Sequence, residues 1–363
     1  MKVALVHDWL VTYRGGEKVL EAIAELFPDA ELFTLFHEPG AVSSLDDRRV
    51  HTSFLNRWPF ARARYRHFLP LFPKAIEALD LSGVDLVISS SHCVAKGVRK
   101  PVGAKHLSYV HAPMRYMWDR YEDYFGPGRA SRAVRTAAWV VRPYLQRWDR
   151  RSSAGVDRFV ANSHYIAQRI AATYGREAAV VHPPVELGRF ASQPLEGTGK
   201  GGYYLWLGAL APYKRVDVAI EAFRRLRSPL WIGGTGQDEA LVRHGLPSNV
   251  KWLGQVADVD LPALYRDARA LVFAGEEDFG ITPLEAQACG RPVIALGRGG
   301  VLETVTAKTG RFFSEQTPEA LAAAVTSFEA WEEQFHPADA RAHASRFTKN
   351  EFQRRFLEEL SRL

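Results

Sequence analysis

The sequence predicts two Rossmann-like α/β domains, each built on a parallel sheet, and three observations carry that expectation. At 363 residues the chain is long enough for two separate cores. Short β-rich runs alternate along it with amphipathic helical stretches, as in strand–helix–strand crossovers. A Gly-, Ser- and Pro-rich stretch, ASQPLEGTGKGG from Ala191 to Gly202, interrupts the alternation and reads as a linker. The expected division is a first domain over 1–190, the linker 191–202, a second domain over 203–345 and a C-terminal helix over 346–363 that can return to the first domain.

The first strand is KVALVH from Lys2, a short apolar run ending on His7 and Asp8, and so a buried strand rather than a signal peptide. Gly15-Gly16 follow it and open the helix EKVLEAIAELF, whose Val19, Leu20, Ile23, Leu26 and Phe27 form one apolar face. Further strands are expected at AELFTLF from Ala30, DLVISS from Asp85, KHLSYVH from Lys105, DRFVANS from Asp157 and AAVVHPP from Ala178. The second domain repeats the theme with YYLWLG from Tyr203, PLWIGG from Pro229, VKWLG from Val250, ALVFAG from Ala270 and PVIALG from Pro292. The tail from Thr348 carries Phe352, Phe356, Leu357 and Leu360 at helical spacing.

An apolar content of 47% with 24% charged residues excludes a disordered or fibrous chain. The most apolar runs are strand-length, well short of the ~20 residues of a spanning helix. Two cysteines, Cys93 and Cys289, make no disulfide framework and point to a reducing, cytoplasmic setting. The net charge of +6 is unevenly placed: Arg48 to Lys74 holds seven Lys/Arg and no acid, interleaved with aromatics, and Arg129 to Arg151 holds seven Arg against one Asp. Such surfaces attract anions, including phosphorylated lipid or an anionic membrane. A solvated basic face with its aromatics turned inward explains the same pattern. No nucleic-acid recognition motif accompanies either cluster.

Ligands of open parallel sheets bind beyond the carboxyl ends of the strands, so the motifs there matter most. GEEDFGITPLEAQACGRPVIA, Gly275 to Ala295, follows a strand, turns at Gly280 and opens a helix. Amides around Phe279, Gly280 and Ile281 lie near a helix N-terminus suited to an anion or a sugar oxygen. Glu277 and Glu285 can each accept two hydrogen bonds from sugar or ribose hydroxyls. Glu285 also fits a capping box with Thr282 as N-cap and Pro283 at the first helical position, and Glu277 fits a solvated acidic loop. The glycine turn at Gly15-Gly16 lets backbone approach a phosphate. Gly233-Gly234-Thr235-Gly236 reads as a tight turn and lacks the spacing of a dinucleotide fingerprint. Asp258 and Asp260 read as a loop and helix start rather than a metal pair, and no metal site is expected.

Glu277-Asp278-Phe279-Gly280, Leu284-Glu285-Ala286 and Gly290-Arg291-Pro292-Val293-Ile294 together resemble the donor-site signature of glycosyltransferase family 4, retaining enzymes of the GT-B fold, in which two domains face across a cleft. LGALAPYKRVDVAIEAF from Leu207, IGGTGQDEAL from Ile232 and ALGRGGVLETV from Ala295 are similar to that family's second domain. HDWLVTYRGGEKVLE, ISSSHCVAKGV, YVHAPMRYMWDRYEDYF and FVANSHYIAQRI resemble the first domain of its bacterial polysaccharide branch, which includes O-antigen mannosyltransferases. The resemblance covers nearly the whole chain.

It implies that Glu277 contacts the transferred sugar, that the backbone at Phe279, Gly280 and Ile281 holds its hydroxyls and the diphosphate, and that Glu285 binds the ribose. It implies that Lys214 stabilises the leaving diphosphate and that His111 contacts the sugar, with Gly15 and Gly16 near the phosphates. Many members carry an Arg where this chain has Ala209; Arg215 or Arg14 can take its place. Arg115, Trp118 and Asp119 are candidates for the acceptor pocket, though simple packing explains them equally. The implied reaction is retaining hexosyl transfer, mannosyl favoured, from a nucleoside diphosphate sugar such as GDP-mannose to a glycan or lipid-linked hydroxyl. No metal cofactor or enzyme nucleophile is expected, and the leaving phosphate takes the acceptor proton. A sugar-nucleotide epimerase or phosphorylase, or a non-catalytic nucleotide-sugar-binding protein, fits the same architecture.

Overall fold

The computed structural model describes the whole chain except Thr198 and Lys200, two positions of the expected linker that lie outside the described residues. The chain forms two compact units, Met1–Pro184 with Lys349–Leu363, and Val185–Thr348.

In the first unit seven strands, β1 Val3–His7, β2 Glu31–Thr34, β3 Val50–Thr52, β4 Leu86–Ser91, β5 Lys105–Val110, β6 Arg158–Ala161 and β7 Ala178–Val180, form a parallel sheet in the order β3-β2-β1-β4-β5-β6-β7. Strand order reverses between β1 and β4, which pair in register from Val3 with Leu86 to His7 with Ser90. Both faces of β1 are covered, so it reads as a continuous apolar run rather than an alternating one. Ala4 and Val6 meet Phe36, Phe72, Leu145 and Trp148 on one side. Leu5 meets Val19, Ile23, Ile88 and Tyr109 on the other.

The tail returns to this unit as the helix Lys349–Leu360. Phe352 and Phe356 enter the same cluster as Leu5 and Ile23. Gln353 donates to the Ala22 carbonyl at 2.9 Å, and Arg158 pairs with Glu359.

The second unit holds β8 Tyr204–Leu207, β9 Leu230–Gly233, β10 Val250–Gly254, β11 Leu271–Phe273, β12 Val293–Leu296 and β13 Gly310–Phe313, all parallel in the order β10-β9-β8-β11-β12-β13. Its reversal lies between β8 and β11. The unit begins ahead of the Gly-rich stretch, because Val185, Leu187 and Phe190 pack into its core beside Leu205 and Phe273. Side-chain burial, not composition, sets that boundary.

The basic aromatic stretch adds the edge strand β3 and then folds as short helical turns and the helix Phe72–Glu77. Phe72 and Ile76 turn inward, but Phe60 stays 81% exposed and Trp58 also faces outward. The inward-packing expectation therefore holds for part of the segment only. Arg48 leaves the cluster: its guanidinium donates to the carbonyls of Ala24 at 2.6 Å and Phe27 at 2.8 Å, capping the end of the helix Gly15–Leu26. Among the described residues no helix is long and apolar enough to cross a membrane.

Candidate functional site

In the second unit, the reversal between β8 and β11 gathers the family-like motifs. Lys214 closes a tight helical turn, Pro212–Lys214, in the segment after β8, and Glu277 lies in the loop after β11. Their side chains meet, Nζ to Oε1, at 2.9 Å, and both are largely buried. Burial alone would lower the Lys214 pKa, but Glu277, aided by Tyr213 and Glu285, outweighs it and the net shift is upward. The ammonium therefore stays charged across the ordinary pH range.

Glycines allow these turns to close in: a β-carbon on Gly275 would stand 2.8 Å from the Lys214 Cα. A β-carbon on Gly234, at φ +126°, would stand 1.9 Å from the Gly208 carbonyl oxygen, so only glycine lets β8 and β9 end this close together. The Glu277 loop is fixed by backbone: Gly300 N–H donates to the Glu277 carbonyl at 2.8 Å, and Glu277 bridges Gly299 in parallel. A side chain on Gly300 would begin 2.2 Å from the Asp278 carbonyl oxygen. The paired glycines of ALGRGGVLETV thus hold Glu277 in place.

The helix Ile281–Ala288 starts at Gly280, whose φ is +96°, and no side chain caps it. The capping-box reading of Glu285 is therefore corrected: Gly280 is the N-cap, Thr282 and Pro283 lie inside the first turn, and Glu285 falls a turn later. Its carboxylate accepts from the Tyr265 hydroxyl at 2.8 Å. Phe279 is a core side chain beside Phe347, leaving only its backbone to offer. Arg215, at φ +52°, turns its guanidinium to Asp217 at 2.9 Å and Gln316 at 3.1 Å. Asp258 pairs with Arg189 at 3.3 Å and Asp260 is the N-cap of the helix Leu261–Asp267. Among the described residues no group of three or more His, Cys, Asp or Glu is placed to hold a metal ion.

In the first unit the reversal between β1 and β4 collects three imidazoles, each just at or beyond the end of a neighbouring strand. His7 ends β1, His92 follows β4 and His111 follows β5. His7 Nδ1 donates to the Ser90 carbonyl at 3.0 Å, and His111 Nε2 meets the Ser90 hydroxyl at 2.9 Å. The ring of His92 stands 5.7 Å from that of His7 and 6.3 Å from that of His111. Asp8, fully buried, accepts the backbone N–H groups of His92, Cys93, Val94 and Ala95 at 2.6–3.0 Å, and lies 3.1 Å from His92 Nδ1. It pins the turn that presents His92.

Burial pushes the His111 pKa well down, with the charges of His92, His7 and Arg115 adding to it. Burial also lowers His92, against the pull of Asp8. Burial would raise Glu17, but the electrostatic pull of His7 and His92 prevails and its pKa falls. Glu17 accepts the Arg14 N–H at 2.9 Å and faces His7 Nε2 at 3.9 Å.

Gly16 sits against these rings. A β-carbon there would stand 3.8 Å from His111 Nε2 and from His7 Cε1, an ordinary contact, and its φ is not left-handed. The glycine is demanded neither by backbone strain nor by crowding; it leaves the ring edges uncovered. Gly15, Gly16 and His111 are thus brought together. Arg115 lies near enough for its charge to help lower the His111 pKa. Trp118 and Asp119 are engaged elsewhere: Trp118 donates to Asp149 at 2.8 Å beneath the Arg150 guanidinium, and Asp119 pairs with Arg169.

A family model described as Glycosyltransferase Family 4 matches residues 13–189, and another described as Glycosyl transferases group 1 matches residues 202–329. Each half of the chain is thus similar to a glycosyltransferase family, and the two matches together span most of its length. Among curated relatives, the D-inositol 3-phosphate glycosyltransferase of Geodermatophilus obscurus is 33% identical over 226 residues, 54% of this chain and 50% of that protein. A GDP-mannose-dependent alpha-(1-6)-phosphatidylinositol monomannoside mannosyltransferase of Mycolicibacterium smegmatis is 31% identical over 218 residues, 52% of this chain and 56% of that one. The O-antigen chain mannosyltransferase B of Escherichia coli is 36% identical over 106 residues, 26% of this chain and 28% of that one. Each match spans little more than half the relative's length, or less.

Solved structures match across the chain. The sucrose-phosphate synthase of Thermosynechococcus elongatus superposes with TM-score 0.72 at 18% identity, covering 100% of this chain and 98% of that one. Anabaena HepE, solved in complex with UDP, does so with TM-score 0.70 at 19% identity over 100% of both chains. These likenesses, with the two parallel sheets, show the GT-B fold.

Proposed function

We propose that this protein is a retaining glycosyltransferase that moves a hexosyl group from a nucleoside diphosphate sugar to a hydroxyl acceptor. The Lys214–Glu277 pair, 2.9 Å apart at the strand-order reversal of the second unit, carries this reading. An ammonium offers three donors, and one faces Glu277. The others suit the oxygens of a diphosphate, whose growing charge a fixed cation stabilises as the glycosidic bond breaks. The first-turn amides after Gly280 add a second positive end.

Glu277 then orients the sugar hydroxyls, Glu285 takes the ribose, and neutral His111 contacts the sugar as an oxocarbenium-like centre develops. Gly15 and Gly16 admit phosphate oxygens. The leaving phosphate accepts the acceptor's proton, so no enzyme nucleophile is needed. GDP-mannose is the favoured donor, supported by the mannosyltransferases among the relatives. A lipid-linked acceptor at an anionic membrane surface is supported by the exposed Trp58 and Phe60 among the basic residues of the first unit.

A thermal-shift series across nucleotide sugars tests the donor, since only a ligand bound to the folded state raises stability. GDP-mannose should give the largest rise, and labelled donor should yield a product of unchanged anomeric configuration. No stabilisation by any nucleoside diphosphate sugar would remove the reading.

A further inference from the structure

The helix Arg132–Ser152 packs one face into the first unit's core through Ala138, Leu145 and Trp148. Surface helices normally present polar side chains opposite such a face. This one presents Trp139, 70% exposed, and Val140, 62% exposed, with Tyr144 also outward. Arginines bracket that apolar strip, Arg132 at one end and Arg147 and Arg151 at the other. The one acid of the segment, Asp149, is buried against Lys96 at 2.8 Å, so the exposed charge is all positive. Trp58 and Phe60 belong to a segment that packs on the same side of the sheet, where Phe72 and Ile76 join Leu145 and Trp148 in one cluster.

We infer that the outer face of this helix is the element that seats the protein on an anionic lipid surface, Trp139 and Val140 entering the headgroup region and the arginines meeting lipid phosphates. The inference rests on the proposed membrane-side acceptor and adds to it a specific contact element. Tryptophan and tyrosine suit that boundary because their rings are apolar at one end and polar at the other. Charge complementarity selects this occupant: a two-fold dimer would set the same arginine-flanked strip against itself, like charge facing like.

Sedimentation of the full chain with phosphatidylcholine vesicles, with and without phosphatidylglycerol, tests this. The wild type should partition onto the anionic vesicles and be released by salt. The double substitution Trp139→Ser, Val140→Asp should weaken that partition about tenfold or more, while affinity for the nucleotide sugar, read by calorimetry, stays unchanged. Partition of the double variant equal to wild type would overturn the inference. If Arg57→Glu with Arg64→Glu alone abolished binding, the helix assignment would fall and the membrane reading would stand. Absence of wild-type binding to anionic vesicles would remove both, leaving transfer to soluble acceptors untouched. A solution dimer dispersed by the double variant would assign the face to a second copy and overturn the lipid assignment.

Discussion

Nζ of Lys214 lies 2.9 Å from Oε1 of Glu277, a cation and an acid brought face to face by two loops that leave adjacent strands of one sheet. Both are largely withdrawn from water, and the raised Lys214 pKa expresses the pull of the acid on the ammonium. A ligand phosphate arriving there would meet an ammonium already positioned and partly desolvated.

Replacing Glu277 separates chemistry from folding. The loop conformation depends on backbone bonds to Gly299 and Gly300 rather than on the Glu277 side chain. Glu277→Ala should therefore stay folded and lose about a hundredfold or more in kcat/KM, near 2.7 kcal/mol of transition-state stabilisation. Steady-state kinetics beside circular dichroism would check this; wild-type turnover would count against the assigned role.

Gly16→Ala should raise stability and lower activity together. Gly16 lies in the first turn of the helix Gly15–Leu26, where alanine is the better helix former by roughly 0.5–1 kcal/mol. The added methyl meets the His7 and His111 rings at ordinary distance, so folding does not resist it. It does cover the ring edges where a ligand would come. A thermal melt at or above wild type, with kcat/KM reduced by about tenfold, is the expected pair of results. Unchanged activity would show that no ligand approaches there.

Much of this was legible in the sequence because a strand buried on both faces announces itself as an apolar run, as KVALVH and ALVFAG do. The strands β3 and β13 escaped for the opposite reason. Each is short and lies at a sheet edge; β3 sits in a basic aromatic stretch and β13 opens on Gly310. Motif context singles out Lys214, Glu277 and His111, and the structure sets Lys214 against Glu277. His7, Asp8, Glu17 and His92 were not singled out, since each is a single polar residue whose partners lie on other strands. One signal was available: β1 and two successive candidate strands each end in or just before a histidine, at the edge where parallel sheets bind ligands. The capping box at Thr282 misled because its spacing is correct, while the left-handed Gly280 starts the helix earlier.

Asp8→Asn should be among the costliest single-atom changes in the first unit. Its two carboxylate oxygens take four backbone N–H groups at 2.6–3.0 Å with no exposure to water. An amide keeps one oxygen and turns an N–H pair toward donors, leaving buried groups unmatched at about 1–3 kcal/mol each. Chemical denaturation should show the first unit weakened by roughly 3 kcal/mol or more, while Glu277 and Lys214, in the other unit, are unaffected. A loss below roughly 1 kcal/mol would mean that the His92–Ala95 turn holds without this carboxylate.

Acid should unfold the first unit before the second. His92 and His111 are held below their ordinary pKa chiefly by burial, and His106 is pushed down to about 3. In the unfolded chain all three protonate near pH ~6.5. Below that value the unfolded state binds more protons than the folded one, so stability falls as pH falls, by up to about 1.4 kcal/mol per pH unit for each imidazole. Above it all three are neutral in both states and contribute no slope. Glu17 acts in the same direction at lower pH: its folded pKa is depressed, so the stability it contributes is present above the unfolded value and is lost as pH drops through the folded one. In the second unit burial shifts His343 down. Calorimetric scans between pH ~7.5 and ~5 should show the first unit's transition falling faster than the second's. Replacing His106 by Asn should flatten that dependence by about one proton's worth. Two transitions that move together would mean that the imidazoles at the ends of the first sheet take up protons without unfolding it.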